Sequence, residues 1–524
     1  MKVPNGRLFF TPAKVLCAAS LVALIAAAWA KPEWVKWAIS GPAAVLFAGA
    51  LFKIFQQIDF SSPRLLPATT RQLAWIRIIV CLTALIYTVI EDLPALASLP
   101  PGMRSSRYFS HLIQIFPGSA TFLSSPYLLG ALQWATAALL LLALIGFWSR
   151  TTIFLGGLGY FVIQAVLRHY SYLYHSGLVP IYLLLLLAFT PCGAVWSVDR
   201  RLNSSKPRPS PQVIGFSIFV VFAVLAVVYL MCGLSKLLNS GWSWFDAGNI
   251  EQKLVTDALE PIFFNFKWKA SLWLVQHNAP SFIFVFIAIF GLVTELGYPC
   301  VLFSRKAQIV LPIMALGVHL GILVFQHILF LDFLLAQLVF LDVDWLANSW
   351  QRRYRKSVEP APVVREDKPP LPLSYISTAS LAAVIALLLL AWTWRVEYYP
   401  ITAWNMYAKP EPKRPVFYLK VAATLEDGRS IDIPLADCSP LVIPNVRYFL
   451  MGAFRTKGRN GMIDDYLDVY VKRCNRRLTF GSPITEIEIQ RWRWNYQAEP
   501  NNPRFGWVTG VYPFDATAKP SSLQ

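Results

Sequence analysis

The sequence predicts an all-α polytopic membrane protein with about eleven transmembrane helices and a small C-terminal extracytoplasmic α+β domain. Two observations support this class. Of the 524 residues, 56% are hydrophobic and only 15% are charged, whereas soluble domains carry about 25% charged residues. The apolar residues also gather in runs of roughly 18–25 residues, the length that crosses a hydrocarbon core of about 30 Å.

The apolar runs define the predicted membrane spans. In chain order they are Val15–Ala30, Val35–Phe55, Leu73–Ile90, Tyr127–Trp148, Thr151–Leu167, Tyr172–Cys192, Val213–Leu238, Ser281–Phe303, Ile309–Gln326, Ile328–Leu346 and Ile376–Trp394. The first run follows basic residues and ends in Ala-Trp-Ala, so it is either an uncleaved helix, which we favour, or a cleaved signal peptide. The predicted domains are a helix pair (1–71), a membrane domain (72–346), a proline-rich cytoplasmic linker (347–375), a last transmembrane helix (376–395) and the α+β domain (396–524).

The net charge of +18 is better explained by membrane orientation than by nucleic-acid binding. Basic clusters such as Asp199–Pro209 and Gln351–Ser357 lie between apolar runs, as expected for cytoplasmic loops that face anionic lipid. With the N-terminus inside, the odd number of spans places residues after Trp394 outside. We therefore predict a multi-pass protein of the cell membrane whose partners are lipids, not nucleic acid.

Residues 396–524 change from apolar runs to an alternating pattern. Phe417, Leu419, Val421, Ala423 and Leu425 share one face of a predicted strand, and the following Asp-Gly pair indicates a hairpin turn. An amphipathic helix and a further strand, ITEIEIQRW, complete the predicted domain.

Two of the seven cysteines, Cys438 and Cys474, belong to this domain. If it lies outside the cytoplasm they could form a disulfide, and the alternative is two free thiols. We predict no metal site, because the six histidines include no pair at helical spacing within one span.

Four polar residues in or beside the spans are candidates for function, since such residues are costly in lipid. Lys236 ends an apolar run near the outer interface, and His175 begins another span on the same side. Glu295 and His319 lie deep in consecutive spans. Each also has a structural explanation: Lys236 could snorkel to the headgroups, His175 could join an aromatic belt, and Glu295 and His319 could pair to hold helices together.

Four stretches between Gln72 and Trp345 carry a family resemblance. They are RQLAWIRI, HSGLVPIYLLLLLAFTPCGAVWSVDRRL, YLMCGLSKLLNSGW, and ELGYPCVLFSRKAQ followed by VHLGI. These stretches resemble the HTTM (horizontally transferred transmembrane) domain family, which shares its membrane domain with vitamin K-dependent gamma-glutamyl carboxylase. The chain departs from those carboxylases at Asn239 and Ile322, where they carry an acidic and a polar residue, and in its shorter C-terminal tail.

The resemblance implies a catalytic role for Lys236 as the base and for His175 as the residue that stabilises a quinone-derived anion. It also implies a cofactor, a reduced quinone of the vitamin K or menaquinol type. Candidate residues for binding the quinone or substrate are Trp242, Trp244, Glu295 and His319.

The expected function is a carboxylase-like enzyme that uses the quinone and oxygen to drive proton abstraction. The reaction that the resemblance implies is γ-carboxylation of glutamate in a secreted or membrane protein. Residues 396–524 would bind that protein. Two alternatives stay open. One is a non-enzymatic maturation or interaction factor for a secreted partner, and the other is a DoxX-like quinone-linked redox subunit.

Overall fold

The computed structural model describes residues 12–30, 32–57, 69–104, 117–170, 175–205, 207–261, 266–346, 375–406, 408–411, 414–438, 446–454 and 460–517. The predicted proline-rich linker, residues 347–375, lies outside these ranges except for Tyr375. Everything stated below about structure concerns the described residues.

Helices make up most of the chain. Those of six or more residues are α1 (Pro12–Trp29), α2 (Glu33–Gln57), α3 (Thr70–Ile90), α4 (Pro126–Ile145), α5 (Ser149–His169), α6 (Val179–Leu187), α7 (Pro211–Ser240), α8 (Ala247–Leu259), α9 (Ala270–Gln276), α10 (Ser281–Gly297), α11 (Ala307–Gln326), α12 (Leu331–Ala336), α13 (Tyr375–Thr393) and α14 (Asn460–Arg477). Shorter α-helices are Ser119–Leu123, Val198–Leu202 and Val446–Leu450, and 3-10 turns are Leu93–Ser98, Pro101–Met103, Gly241–Phe245, Tyr298–Leu302, Gln337–Phe340, Leu435–Cys438 and Met451–Phe454.

Eight of the described helices, α1 to α5, α7, α10 and α11, are long and apolar enough to cross a membrane. This confirms the prediction of a helical membrane protein. The most buried of the eight is α7, which packs against α3, α6, α10 and α13. It therefore lies at the centre of the helix assembly, whereas α10 and α11 bury a smaller share of their residues.

Three of the eleven predicted spans are not among these eight helices. The last, Ile376–Trp394, corresponds to α13, whose apolar part Thr378–Thr393 is among the shorter helices. The other two are interrupted. In the run Tyr172–Cys192 the described helix, α6, has nine residues, which corresponds to about 14 Å. It starts after Gly177, whose φ of 81° is left-handed, and has Pro180 in its first turn. In the run Ile328–Leu346, α12 has six residues and follows His327, whose φ of 58° ends α11. Periodicity could not reveal these breaks, and the number and direction of crossings stay predictions.

The C-terminal sheet is antiparallel, with the order β4-β3-β5-β6. Its strands are β3 (Val416–Leu425), β4 (Ser430–Ile433), β5 (Ile484–Trp494) and β6 (Trp507–Asp515); before it, β1 (Glu397–Tyr398) and β2 (Ile401–Thr402) form a small separate pair. The predicted strand, hairpin, helix and second strand are confirmed as β3, the turn at Gly428, α14 and β5. One predicted core residue differs, because Phe417 is 45% exposed. At this end of β3 the opposite face is buried, where Val416 and Tyr418 pack on α8 and α9.

The sheet domain and the helical domain share hydrophobic core. Leu419, Val421 and Ile463 belong to one buried cluster with Leu93 and Val166 of the helical part. Ion pairs reinforce the contact: Arg473 lies 2.8 Å from Asp92, and Arg447 pairs with the buried Glu260 at the end of α8. The C-terminal domain is therefore fixed on the helical domain rather than attached as a loose tail.

Glu260 makes this docking sensitive to pH. Its Oε1 accepts a hydrogen bond of 2.6 Å from the Leu419 amide, and burial raises its pKa from 4.5 to about 7 although Arg447 opposes the shift. Between pH 4.5 and about pH 7 the folded protein therefore binds more protons than the unfolded chain. The free energy of unfolding falls as the pH rises through this range and stays constant at higher pH. We expect the thermal unfolding midpoint to be higher at pH 5 than at pH 8, and Glu260→Gln to reduce the difference.

The matched control for this prediction is Glu426→Gln, because Glu426 is an exposed residue in the β3–β4 turn. It should leave the difference between pH 5 and pH 8 as in the unmodified protein. An equal midpoint at the two pH values, or an unchanged difference in Glu260→Gln, would contradict the assignment to Glu260.

The two cysteines of the C-terminal domain are buried in the same hydrophobic cluster and are free thiols. The Cys438 thiol lies 3.5 Å from the Pro434 carbonyl oxygen. The disulfide between Cys438 and Cys474 that the sequence left open is thus not formed in this structure.

Candidate functional site

Lys236, near the end of α7, forms a buried ion pair with Glu295 of α10. Its Nζ lies 2.6 and 2.7 Å from the two carboxylate oxygens, and the two side chains are 8% and 11% exposed. Gly233, one turn before Lys236, allows this approach, since a Cβ there would lie 2.8 Å from Leu296 and 3.1 Å from the Glu295 Cβ. Lys236 is therefore not a lysine that snorkels to solvent, and its partner is one of the predicted residues.

The ion pair lies in the wall of a cavity of ≈ 230 Å³ between α7, α8, α10 and α11. The lining is mainly apolar and aromatic and includes Trp244, Phe290, Phe325 and Phe330. The Lys236 Nζ also lies 5.4 Å from the centre of the Trp244 ring, within the range of a cation–π contact. A charged pair thus faces an apolar space large enough for a small ring.

His319 of α11 lines the same cavity and is part of a buried hydrogen-bond network. Gln337 Nε2 donates to the Phe333 carbonyl oxygen at 2.7 Å and to the Tyr229 hydroxyl oxygen at 3.0 Å, and its Oε1 accepts from Tyr298 at 2.5 Å. The Tyr229 hydroxyl also forms a hydrogen bond of 2.8 Å with His319 Nε2, whose direction depends on the tautomer of the imidazole.

The tautomer of His319 decides what its other ring nitrogen offers. A neutral histidine that accepts at Nε2 carries its hydrogen on Nδ1, and His319 Nδ1 is buried with no partner in the described residues. A buried polar group without a partner costs roughly 1–3 kcal/mol. The cavity lining thus includes a histidine with one unpartnered ring nitrogen.

A second lysine, Lys253 of α8, also lines the cavity. Its Nζ donates to the Lys409 carbonyl oxygen at 2.7 Å and lies 3.5 Å from the Glu411 carboxylate. Burial lowers the pKa of this amine more than the Glu411 carboxylate raises it. Sequence reasoning missed Lys253, although a lysine between Ile250 and Leu254 on an amphipathic helix was a signal that could have found it.

His175 and Trp242 are not among the residues that line this cavity. His175 Nε2 lies 3.0 Å from the Thr402 hydroxyl and 3.6 Å from the Glu397 carboxylate. Burial raises the pKa of Glu397, but hydrogen bonds from His175, Thr402 and Asn405 outweigh burial and lower it. Trp242 is 89% exposed. His175 and Lys236 therefore do not share this cavity.

The His175 cluster still connects to α7 through the chain after α13. Asn405 Nδ2 donates to Glu397 at 2.9 Å, and Asn239 Nδ2, one turn after Lys236, donates to the Asn405 side-chain oxygen at 3.4 Å. His175 thus helps to fix the segment that packs against the end of α7. Of the predicted residues, the structure brings together Lys236, Glu295, His319 and Trp244.

The described residues contain no group of three or more His, Cys, Asp or Glu side chains that could hold a metal ion. No protein-family model, curated protein or solved structure matches the chain. The resemblance to the HTTM family stays a prediction from sequence stretches.

Proposed function

We propose that the chain is a membrane enzyme that binds a reduced quinone of the vitamin K or menaquinol type and takes a proton from it at the Lys236–Glu295 pair. The observation that carries this proposal is the buried ion pair in the wall of an apolar cavity. Ionisable groups inside a membrane are costly and mark functional sites, and an apolar pocket with a few converging polar groups is the usual form of a ligand site.

The residues of the cavity fit such a ligand. In the tautomer with its hydrogen on Nδ1, His319 would donate to one ring oxygen, and the charged pair would meet a hydroxyl group. Trp244 and Phe290 offer aromatic faces for the ring. The unpartnered His319 Nδ1 is the specific feature that a purely structural ion pair would not need.

The pair contributes proton transfer and charge stabilisation. In this proposal the Lys236 ammonium gives one proton to the Glu295 carboxylate and takes the hydroxyl proton in its place. The pair thereby gains one positive charge, which faces the oxygen that loses the proton. When bound, a reduced quinone would supply the electrons for reaction with oxygen, which the carboxylases that this chain resembles use to remove a γ-proton from a protein glutamate. The C-terminal domain, on the extracytoplasmic side in this proposal, would bind the acceptor protein.

A second candidate function is a maturation factor that binds a secreted partner. One observation favours it: β6 is an edge strand of the sheet, and its Trp507, Val508 and Val511 are exposed. An exposed edge strand can pair with an extended segment of another protein. A DoxX-like redox subunit would use the same quinone cavity.

The proposed function is tested by mass spectrometry of the lipid-soluble compounds that copurify with the protein. We expect a quinone in the unmodified protein and at least tenfold less in His319→Phe, because this variant lacks Nδ1, a buried polar atom of the described cavity lining that has no partner. The matched control is His277→Phe, which removes an exposed histidine stacked on Trp273 and should retain the quinone. Equal amounts in all three proteins would contradict the assignment, and a quinone-free protein with normal partner binding would favour the maturation factor.

A further inference from the structure

Three glycines form part of the cavity wall between α10 and α11. They are Gly291, Gly317 and Gly321. A Cβ added at Gly291 or Gly321 would meet no atom within 4 Å, and one at Gly317 would meet only the Phe290 ring at 3.5 Å. These glycines are therefore not required by tight helix packing, in contrast to Gly233, and they leave a gap between the two helices.

The α11 side of this gap is apolar and exposed, since Gly317 is itself exposed and so are Leu320 and Val324, one and two turns after it. Ile289 and Val293 are exposed on the face of α10 that points away from the cavity. Since both helices are of spanning length, exposed apolar side chains on them face lipid. The gap thus leads from the hydrocarbon region of the bilayer toward the cavity.

The water-facing side of the cavity is covered by the chain after β2. Met406 lines the cavity there. Hydrogen bonds hold this segment down, from Ser240 to the Ala408 carbonyl oxygen at 2.5 Å and from Lys253 to the Lys409 carbonyl oxygen at 2.7 Å. A ligand from water would have to displace these contacts, whereas a Cβ added at Gly291 or Gly321 meets no atom of the described residues within 4 Å.

We propose that the glycine gap is a lateral opening through which a membrane-dissolved ligand with a polar ring and an apolar tail reaches the cavity. This proposal rests on the proposed function and specifies its ligand class and route. His319, whose buried Nδ1 has no partner among the described residues, would bind the polar ring. The cavity of ≈ 230 Å³ is smaller than the roughly 300–1,000 Å³ of pockets that enclose a whole drug-sized ligand. The tail therefore extends through the gap into the bilayer.

The test uses the full-length protein in lipid nanodiscs and variants that fill the gap. Gly321→Leu and Gly291→Leu place a side chain in open space, and leucine is a better helix former than glycine by up to about 1 kcal/mol, so both variants should fold. The matched control is Gly49→Leu on α2, where a Cβ also meets no atom within 4 Å and which does not line the cavity.

The probe is a naphthoquinone with a decyl tail, supplied from vesicles and quantified in the protein by mass spectrometry over time. Uptake should be at least tenfold slower in both leucine variants at the gap and unchanged in Gly49→Leu. Uptake at the unmodified rate in both gap variants would overturn the lateral opening while leaving the quinone site intact.

A tailless naphthoquinone and the copurifying lipids separate the two proposals. If the unmodified protein takes up neither naphthoquinone, the proposed function fails. The opening is then supported if another tailed lipid-soluble compound copurifies and is lost in Gly321→Leu, and it is overturned if no such compound is present or if its amount is unchanged.

Discussion

Lys236→Arg is expected to abolish quinol-dependent oxygen consumption while the protein keeps its fold. Arginine can still form a bidentate pair with Glu295, since its guanidinium matches a carboxylate. It does not give up its proton in proteins, however, so it cannot take part in proton transfer. Loss of a positioned acid or base costs about 10²–10⁴-fold in rate, and we expect a loss in this range with an unfolding midpoint close to that of the unmodified protein.

The control for this prediction is Lys472→Arg, which alters an exposed lysine paired with Asp468 at 2.6 Å on α14. It should keep full oxygen consumption. Full turnover by Lys236→Arg would mean that Lys236 is only a structural cation, and the proposed mechanism would then depend on Glu295 alone.

The sequence predicted the chemistry of the cavity better than its geometry. Lys236, Glu295 and His319 stood out because charged and polar groups are rare within apolar runs, and each is found at the cavity. Their pairing could not be read from the chain, since Lys236 and Glu295 are far apart in sequence and meet only because Gly233 lets α7 and α10 approach. Long-range contacts of this kind depend on packing rather than on local pattern.

The partners of His319 left a weaker signal. Tyr229 lies two helical turns before Lys236, so it shares a face of α7, but a tyrosine in an apolar helix is usually a core residue. Gln337 follows a helix of six residues that the sequence had placed in a continuous span. Only the three-dimensional structure shows that these groups leave His319 Nδ1 without a partner.

The position of His175 differs from the predicted one. The resemblance and the shared membrane side both placed it beside Lys236, but depth along the membrane normal does not fix lateral position. The pair β1–β2 and Trp404 fill the space next to His175, with the Trp404 ring 5.3 Å away. The sequence of residues 396–406 gave no sign that this short segment returns to the helical domain.

Alternation in β3 predicted its buried face well over Leu419 to Leu425, where α14 covers that face. It failed at Phe417, because the strand changes partner from α14 to the end of the helical domain. A strand that is buried on different faces along its length cannot be recognised from a two-residue period alone.

Removing one member of the Lys236–Glu295 pair is expected to destabilise the protein far more than removing both. Lys236→Met or Glu295→Leu leaves an unpaired charge in a buried site, which costs about 3–5 kcal/mol. The double variant has no buried charge at this place and fills it with apolar atoms, and such replacements are often neutral or stabilising. We therefore expect a low unfolding midpoint in each single variant and a midpoint near that of the unmodified protein in the double variant.

The same single and double variants separate the effect on stability from the effect on catalysis. The double variant should be inactive even though it is stable, because neither proton acceptor is left. The exposed pair Lys472–Asp468 is the matched control. Its removal should change the free energy of unfolding by only about 0.3–0.5 kcal/mol and should not affect activity. If the single variants are as stable as the double, the pair is hydrated and lies outside the dry cavity wall. If the double variant keeps its activity, proton transfer uses another group, and Lys253, the second lysine of the cavity, becomes the residue to replace.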